Sequence, residues 1–188
     1  MKIMAIRHGE TEGNVLHLVE SRTGGKLTED GIRQAGEIAG RLDGWHFGAM
    51  YSSDLQHCVD TAEVITRSLA RTALILTDKL RERNQGVYEG WYWDDLPWLG
   101  REGERLAAKI PDGESWLAVQ QRIGAFVNEL YQEDPAQEVL FVTHSGPIKV
   151  LRALYGGISL RESVDRPVHN GTIWQWGMDR PVLYPTVS

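Results

Sequence analysis

The sequence predicts an α/β fold, a three-layer sandwich in which a mostly parallel sheet is flanked by helices on both faces. Short apolar runs alternate with longer segments of helical periodicity, which is typical of strands joined by right-handed helical crossovers. The composition, 41% hydrophobic and 24% charged over 188 residues, is that of an ordinary globular protein. We therefore predict one domain over residues 1–188.

The spacing of apolar residues predicts each element. The run KIMAI ends at Arg7 and His8, which is typical of a buried strand entering a loop. Ile32, Ala35 and Ala39 recur at helical spacing in the first helix. The predicted elements are a strand at 2–6, a helix at 28–42, a strand at 47–53, a helix at 55–69, a strand at 72–77, a helix from about 114 to 130, a strand at 138–142, a helix at 147–157 and a strand at 172–178.

Residues 80–113 interrupt this alternation. They carry Trp91, Trp93 and Trp98 among glycines, prolines and charges, with no clear strand or long helix. We predict a small cap insertion, in which the tryptophans either line a ligand pocket or stiffen the cap.

Composition excludes several classes of partner. The net charge of -6 argues against nucleic acid or an anionic membrane surface, because both require a basic face. No apolar run approaches the ~18 residues of a membrane span, and the N-terminus lacks the pattern of a secretory signal. Cys58 is the only cysteine and cannot form an internal disulfide. We predict a cytoplasmic protein.

Polar residues follow four of the predicted strands. Ligands of open α/β sheets bind beyond the carboxyl ends of the strands, so these residues are expected to share one crevice. They are Arg7 and His8, Ser52 and Ser53, Arg81 and Glu82, and Thr143 and His144.

This set of side chains suits phosphate chemistry. Arginine binds phosphate oxygens with two parallel donors, and the helix that begins after Ser145 adds backbone amides. A neutral histidine can attack phosphorus, while a carboxylic acid such as Glu82 protonates the leaving oxygen. No short-spaced zinc motif is present, so we predict no metal site.

Five motifs together resemble the histidine phosphatase superfamily, which includes cofactor-dependent phosphoglycerate mutases and small phosphomonoesterases. They are RHGET with Asn14 six residues after His8, LTEDG at 27–31, YSSDL followed by DTA, LRERNQGVYEG at 80–90 and VTHSGP at 142–147. The resemblance implies a mixed sheet, with the 80–113 insertion covering the substrate.

The resemblance also implies roles for individual residues. His8 would become phosphorylated, and Glu82 would donate the proton, with Glu89 and Glu102 as alternative acids. Arg7, Asn14 and His144 would hold the phosphoryl group, and Arg22 and Thr23 are assigned to substrate binding. No metal or organic cofactor is expected.

The chain departs from the family pattern at two positions. His57 stands where a second phosphate-binding arginine is expected, and it offers fewer donors and a conditional charge. Arg22, Arg81 and Arg83 are candidate substitutes. Ser145 follows His144 where many relatives have glycine or asparagine, and its hydroxyl or its backbone amide would bind phosphate.

Three hypotheses about function follow. The leading one is a phosphatase that hydrolyses a small-molecule phosphate monoester through a phosphohistidine on His8. The alternatives are mutase-type phosphoryl transfer and a phosphate-binding module weakened by His57. The short cap favours hydrolysis, because a mutase must exclude water more completely. A homodimer formed near the last strand is a further expectation.

Overall fold

The computed structural model describes residues 1–69, 72–97 and 106–179. Trp98 and Glu102, which the sequence analysis considered, lie outside these residues. In chain order the elements are β1 (Lys2–Arg7), α1 (Glu12–Val15), α2 (Glu29–Arg41), β2 (Ala49–Ser53), α3 (Gln56–Thr66), β3 (Leu74–Thr77), three 3-10 turns (Asp78–Leu80, Gly86–Tyr88 and Trp93–Asp95), α4 (Trp116–Glu133), β4 (Glu138–Thr143), α5 (Ser145–Tyr155), α6 (Leu160–Asp165) and β5 (Ile173–Gly177).

The five strands form one mixed sheet in the order β3-β2-β4-β1-β5. The first four are parallel, and β5 joins the edge antiparallel to β1. The predicted α/β fold with a mostly parallel sheet is confirmed. The helices α1 and α6 were not predicted, because segments of four and six residues are too short to establish a helical period.

Alternating residues of the central strands build two separate cores. Ile3 and Ala5 of β1 pack on the α4, α5 and α6 face, whereas Met4 and Ile6 pack on the α2 and α3 face. This alternation follows from the two-residue period of a strand. Because both faces are apolar, helices must cover both, which gives the predicted three layers.

The apolar residues at helical spacing in α2 are not all buried. Ile32 is 53% exposed, and the buried side of this helix is formed by Ala35, Ile38 and Ala39. The helix begins at its cap Thr28, whose hydroxyl accepts a hydrogen bond from the amide of Gly31. Among the described residues, no helix is both long and apolar enough to cross a membrane.

The register of β1 and β4 brings two histidines to the same edge. Arg7 is paired with Thr143, so His8 and His144 are the next residues along two neighbouring parallel strands. Ser53 ends β2 on the other side of β4. The crevice expected beyond the carboxyl ends of the strands therefore collects the predicted residues.

Candidate active site

His8 lies at the bottom of this crevice and is 4% exposed. Its Nδ1 lies 2.7 Å from the carbonyl oxygen of Gly9, so in the neutral ring Nδ1 carries the proton and Nε2 keeps a lone pair. Burial, assisted by the charges of His57 and Arg7, holds the pKa of His8 well below its ordinary value. The imidazole is therefore neutral at pH 7, as a nucleophile must be.

The loop that carries His8 requires two glycines. A Cβ on Gly9 would lie 2.3 Å from the carbonyl oxygen of Gly31, and a Cβ on Gly31 would lie 2.1 Å from that of Glu10. The RHGET and LTEDG motifs are thus in direct backbone contact. This close approach fixes the main chain around His8.

Arg7 is buried beside His8 and retains an unused donor. One guanidinium nitrogen, Nη1, donates to the carbonyl of Val168 at 2.5 Å. Its Nε is buried and has no hydrogen-bond partner within the described part of the chain. Burial lowers the pKa of Arg7, and the nearby Glu82 carboxylate partly offsets this effect. A buried, unpaired N–H is costly, and a phosphate oxygen would satisfy it.

Three imidazoles meet in the crevice. His57 Nε2 lies 3.2 Å from His144 Nδ1, and the ring of His8 lies with its centroid 4.2 Å from that of His57 and 5.2 Å from that of His144. The other nitrogen of His144, Nε2, is 2.9 Å from Ser53 Oγ and 3.4 Å from Cys58 Sγ. Both nitrogens of His144 therefore already contact protein groups.

His57 does not supply the charge of the arginine that it replaces. Burial lowers its pKa from 6.5 to about 4, an effect that the backbone of Gly25 partly offsets, although within residues 1–69, 72–97 and 106–179 no hydrogen bond of standard geometry reaches Nδ1. The pKa of His144 is also held well below its usual range, first by burial and then by His57, His8 and Arg7. In the unliganded protein both rings are neutral.

The carboxylate of Glu82 is held at the N-terminus of α5. It accepts hydrogen bonds from the amide of Gly146 at 3.0 Å, from the amide of Arg83 at 2.7 Å and from the hydroxyl of Ser145 at 3.1 Å. A Cβ on Gly146 would lie 2.0 Å from Glu82 Oε1, so any larger residue at this position would displace the carboxylate. Pro147 has no N–H, which leaves the Ser145 amide as the other donor at this helix end.

The hydroxyl of Ser145 thus orients Glu82, and only its amide remains for a phosphate. Asn14 is positioned beside His8 by Asn170, whose amide donates to Asn14 Oδ1 at 2.9 Å and to the carbonyl of His8 at 3.1 Å. Asn170 was not predicted from the sequence. The only available signal was a polar turn, HNGT, directly before the last strand.

The alternative acid Glu89 has a structural role. Its carboxylate accepts hydrogen bonds from the backbone amides of Ser21, Arg22 and Thr23 and from the hydroxyls of Ser21 and Thr23, at 2.6 to 3.1 Å. Burial raises the pKa of Glu89, but the hydrogen bonds from Ser21, Arg22 and Thr23 outweigh it and lower the pKa overall. These contacts occupy Thr23, so its assignment to substrate binding stays a prediction.

The three candidate substitutes for the missing arginine each have protein partners. Arg81 forms a two-point ion pair with Asp54 at 2.6 and 2.5 Å. Arg22 donates to the carbonyls of Ser21 and Glu82, so it is tied to the loop that carries Glu82. Arg83 stacks on Trp116 at 4.9 Å. None of these recorded contacts joins an arginine to His57.

A cleft of about 270 Å³ opens beside Glu82 and Ser145. Its walls are aromatic and aliphatic, with Arg83 and Lys149 near Trp116. The apolar lining residues are Tyr88, Trp93, Leu96, Pro97, Ile110, Trp116 and Val164. Trp93 therefore lines a pocket, whereas Trp91 is 47% exposed and packs edge-on against Tyr88.

Comparisons with known proteins agree with this arrangement. The chain is 31% identical over 175 residues to a metal-independent phosphoserine phosphatase from Arabidopsis thaliana, which covers 88% of this chain and 71% of that protein. It is 30% identical over 151 residues to a probable phosphoglycerate mutase, GpmB, from Cronobacter sakazakii, covering 77% of this chain and 69% of that protein.

A similar solved structure is the alpha-ribazole phosphatase from Shigella flexneri, with a TM-score of 0.80 and 28% identity, covering 93% of this chain and 89% of that one. The family model for the histidine phosphatase superfamily (branch 1) matches residues 3–181. That match spans both histidine motifs and every strand of the sheet, and the chain therefore belongs to the histidine phosphatase superfamily.

Proposed function

We propose that the protein is a phosphatase that hydrolyses a small-molecule phosphate monoester through a phosphohistidine on His8. The observation that carries the proposal is the fixed tautomer of His8. The Gly9 carbonyl holds the proton on Nδ1, which leaves Nε2 of His8 with a lone pair, and the adjacent residue Arg7 has a buried Nε with no hydrogen-bond partner among the described residues. A nucleophile and an anion donor thus share one buried site.

The proposed reaction has two steps. The Nε2 lone pair of His8 attacks phosphorus, the bond to the ester oxygen breaks, and Glu82, in the protonated form that the charge of the bound ester favours, gives its proton to that oxygen. A water molecule then attacks the phosphorus of the phosphohistidine and gives a proton to Glu82. The P–N bond breaks, and its electron pair returns to Nε2 of His8. Arg7, Asn14 and the Ser145 amide would hold the phosphoryl oxygens, and no step requires a metal or an organic cofactor.

The shape and lining of the cleft suit a leaving group that is flat and largely apolar. It begins at Glu82, where the ester oxygen would depart, and aromatic side chains such as Trp93 and Trp116 form its walls. A serine leaving group would fill little of this volume. The Shigella structure is named an alpha-ribazole phosphatase and the Arabidopsis relative a phosphoserine phosphatase, so both substrates belong in a test panel.

Detection of an alkali-stable phosphoenzyme tests the proposal. The protein would be incubated with a ³²P-labelled aryl phosphate and quenched in alkali, where phosphohistidine survives. We expect label on the wild type and none on His8→Ala, with His46→Ala as the matched control because His46 is exposed and outside the site. Absence of both label and phosphate release across the panel would favour the binding module.

A second candidate is phosphoryl transfer between phosphoglycerates, favoured by the similarity to the probable phosphoglycerate mutase. It uses the same nucleophile and acid, and differs in returning the phosphoryl group to a bound sugar acid. Phosphoglycerate interconversion faster than phosphate release would support it. The homodimer and the cytoplasmic location stay predictions.

A further inference from the structure

The three-histidine cluster has a property that phosphate chemistry does not require. His8, His57 and His144 come from β1, α3 and the start of α5, and one ring nitrogen of each lies within 4.8 Å of the others. All three are at least 96% buried. An arginine at position 57 would not complete such a set, so the cluster is a consequence of this chain's departure from the family pattern.

Two of the three outer ring nitrogens have the partners typical of metal-binding histidines, whereas Nδ1 of His57 has none in the described part of the chain. A metal-bound imidazole usually donates its other N–H to an oxygen acceptor, which fixes the ring. His8 Nδ1 lies 2.7 Å from the carbonyl of Gly9, and His144 Nε2 lies 2.9 Å from Ser53 Oγ. Both rings therefore direct an unprotonated nitrogen toward the centre of the cluster.

The inner nitrogens have a suitable spacing. Zn–N bonds of 2.0–2.1 Å in a tetrahedron place neighbouring ligand nitrogens about 3.3 Å apart. The separation of 3.2 Å between His57 Nε2 and His144 Nδ1 already matches this value. Closing the cluster on an ion requires the third ring to move inward and the proton shared between these two nitrogens to leave, which in His57 can move to the unpaired Nδ1.

We propose that His8, His57 and His144 form a binding site for one zinc-like divalent ion, with the fourth position open to water or an anion. Imidazole suits Zn²⁺, Cu²⁺ and Ni²⁺. The nearby guanidinium of Arg7 opposes a dication, so an anionic fourth ligand such as phosphate should strengthen the complex. Because the ion occupies the lone pair of His8, it inhibits the proposed phosphatase.

Cobalt provides a direct readout, because tetrahedral Co²⁺ has strong visible absorption. The tag-free protein would be treated with a chelator, dialysed and titrated with Co²⁺ and then with Zn²⁺. We expect a tetrahedral spectrum that saturates at one equivalent and is displaced by Zn²⁺. His57→Gln and His8→Ala should each weaken binding at least ~10-fold, since even an outer-shell partner is typically worth ~10–100-fold in affinity.

The control is His46→Ala, which removes an exposed histidine and should keep the spectrum. A wild type without tetrahedral absorption would overturn the proposal, as would variants at positions 57 and 8 that bind Co²⁺ as the wild type does. Circular dichroism of each variant establishes that it is folded. The spectroscopic result does not depend on the proposed phosphatase activity, so the two proposals fail separately.

Discussion

The phosphate side and the cap side of the site are built in different ways. On the phosphate side, His8, Ser53 and His144 lie at strand ends and are almost fully buried. On the cap side, Trp91 and Trp93 lie in turns and remain about half exposed. The sheet register brings the first group together. Main-chain hydrogen bonds tie the second group to residues 17–19, and side-chain contacts between distant loops support it further.

Two carboxylates provide those contacts. Glu89 joins the cap to the loop at residues 21–23 through five hydrogen bonds. Glu114 accepts two bonds from Arg122 and one from the amide of Asn84. On the proposed function, the phosphate side therefore carries the reaction chemistry and the cap side selects the substrate. Glu82 lies at the boundary between these two parts.

The largest effect is expected at that boundary. Glu82→Gln preserves the shape of the side chain but cannot donate a proton as an acid, so kcat should fall by ~10²- to 10⁴-fold with a poor leaving group. A 4-nitrophenyl ester, whose leaving group needs little protonation, should be affected far less. Steady-state kinetics on both esters provide the measurement, and an equal loss on the two would contradict the assignment of Glu82.

A change on the cap side should alter stability and substrate binding while sparing the phosphate side. Glu89→Ala leaves several amides unpaired, and we expect unfolding to cost about 2–3 kcal/mol less than in the wild type. Alkali-stable labelling of His8 should persist, while KM for a bulky ester rises. Urea denaturation and labelling test this, with exposed Glu63→Ala as control. Loss of labelling in a folded Glu89→Ala protein would show that the two sides are coupled.

The buried histidines on the phosphate side predict acid sensitivity. The unfolded chain protonates His57 near its ordinary pKa of 6.5, whereas the folded protein does so only near pH 4. Its contribution to stability is therefore complete above pH 6.5 and is lost as the pH falls toward 4. Between pH 7.5 and 5.0 the wild type should lose about 2 kcal/mol more than His57→Gln.

Urea unfolding at the two pH values measures this difference. His46→Ala, which changes an exposed histidine, should behave as the wild type does. Equal losses in the wild type and His57→Gln would mean that position 57 carries none of the acid sensitivity.

The smallest expected effect is on the anion affinity of the phosphate side. His57→Arg restores a permanently charged, two-point donor, so vanadate should bind about 10-fold more tightly. Calorimetric titration of the two proteins provides the comparison. Unchanged or weaker binding would indicate that the pocket around Nδ1 of His57 cannot accommodate a guanidinium group.

The sequence predicted the phosphate side well because that side depends on strand ends. Apolar runs identified β1 and β4, and the polar residues directly after them were His8 and His144. The same argument placed Glu82 near both, after β3. Strand periodicity is a local signal, and parallel pairing brings local signals to one edge.

The sequence predicted less wherever a contact joins distant segments. It could not show that Ser145 bonds to Glu82, that Asn170 supports Asn14, or that Glu89 anchors residues 21–23. The prediction of no metal site, which rested on the absence of short ligand spacing, stays a prediction. Spacing could not have indicated the three histidines of the cluster, which lie 49 and 87 residues apart in the chain and meet only in the fold.

The absence of a Cβ at Gly146 leaves the space that the Glu82 carboxylate occupies. Because a methyl group there would occupy the place of Glu82 Oε1, one alanine substitution would displace the acid without touching the histidines or Arg7. A descendant with that substitution could still capture phosphate esters yet release them intact. On the proposed function, the chemistry of this site therefore depends on a position that contributes no side chain to it.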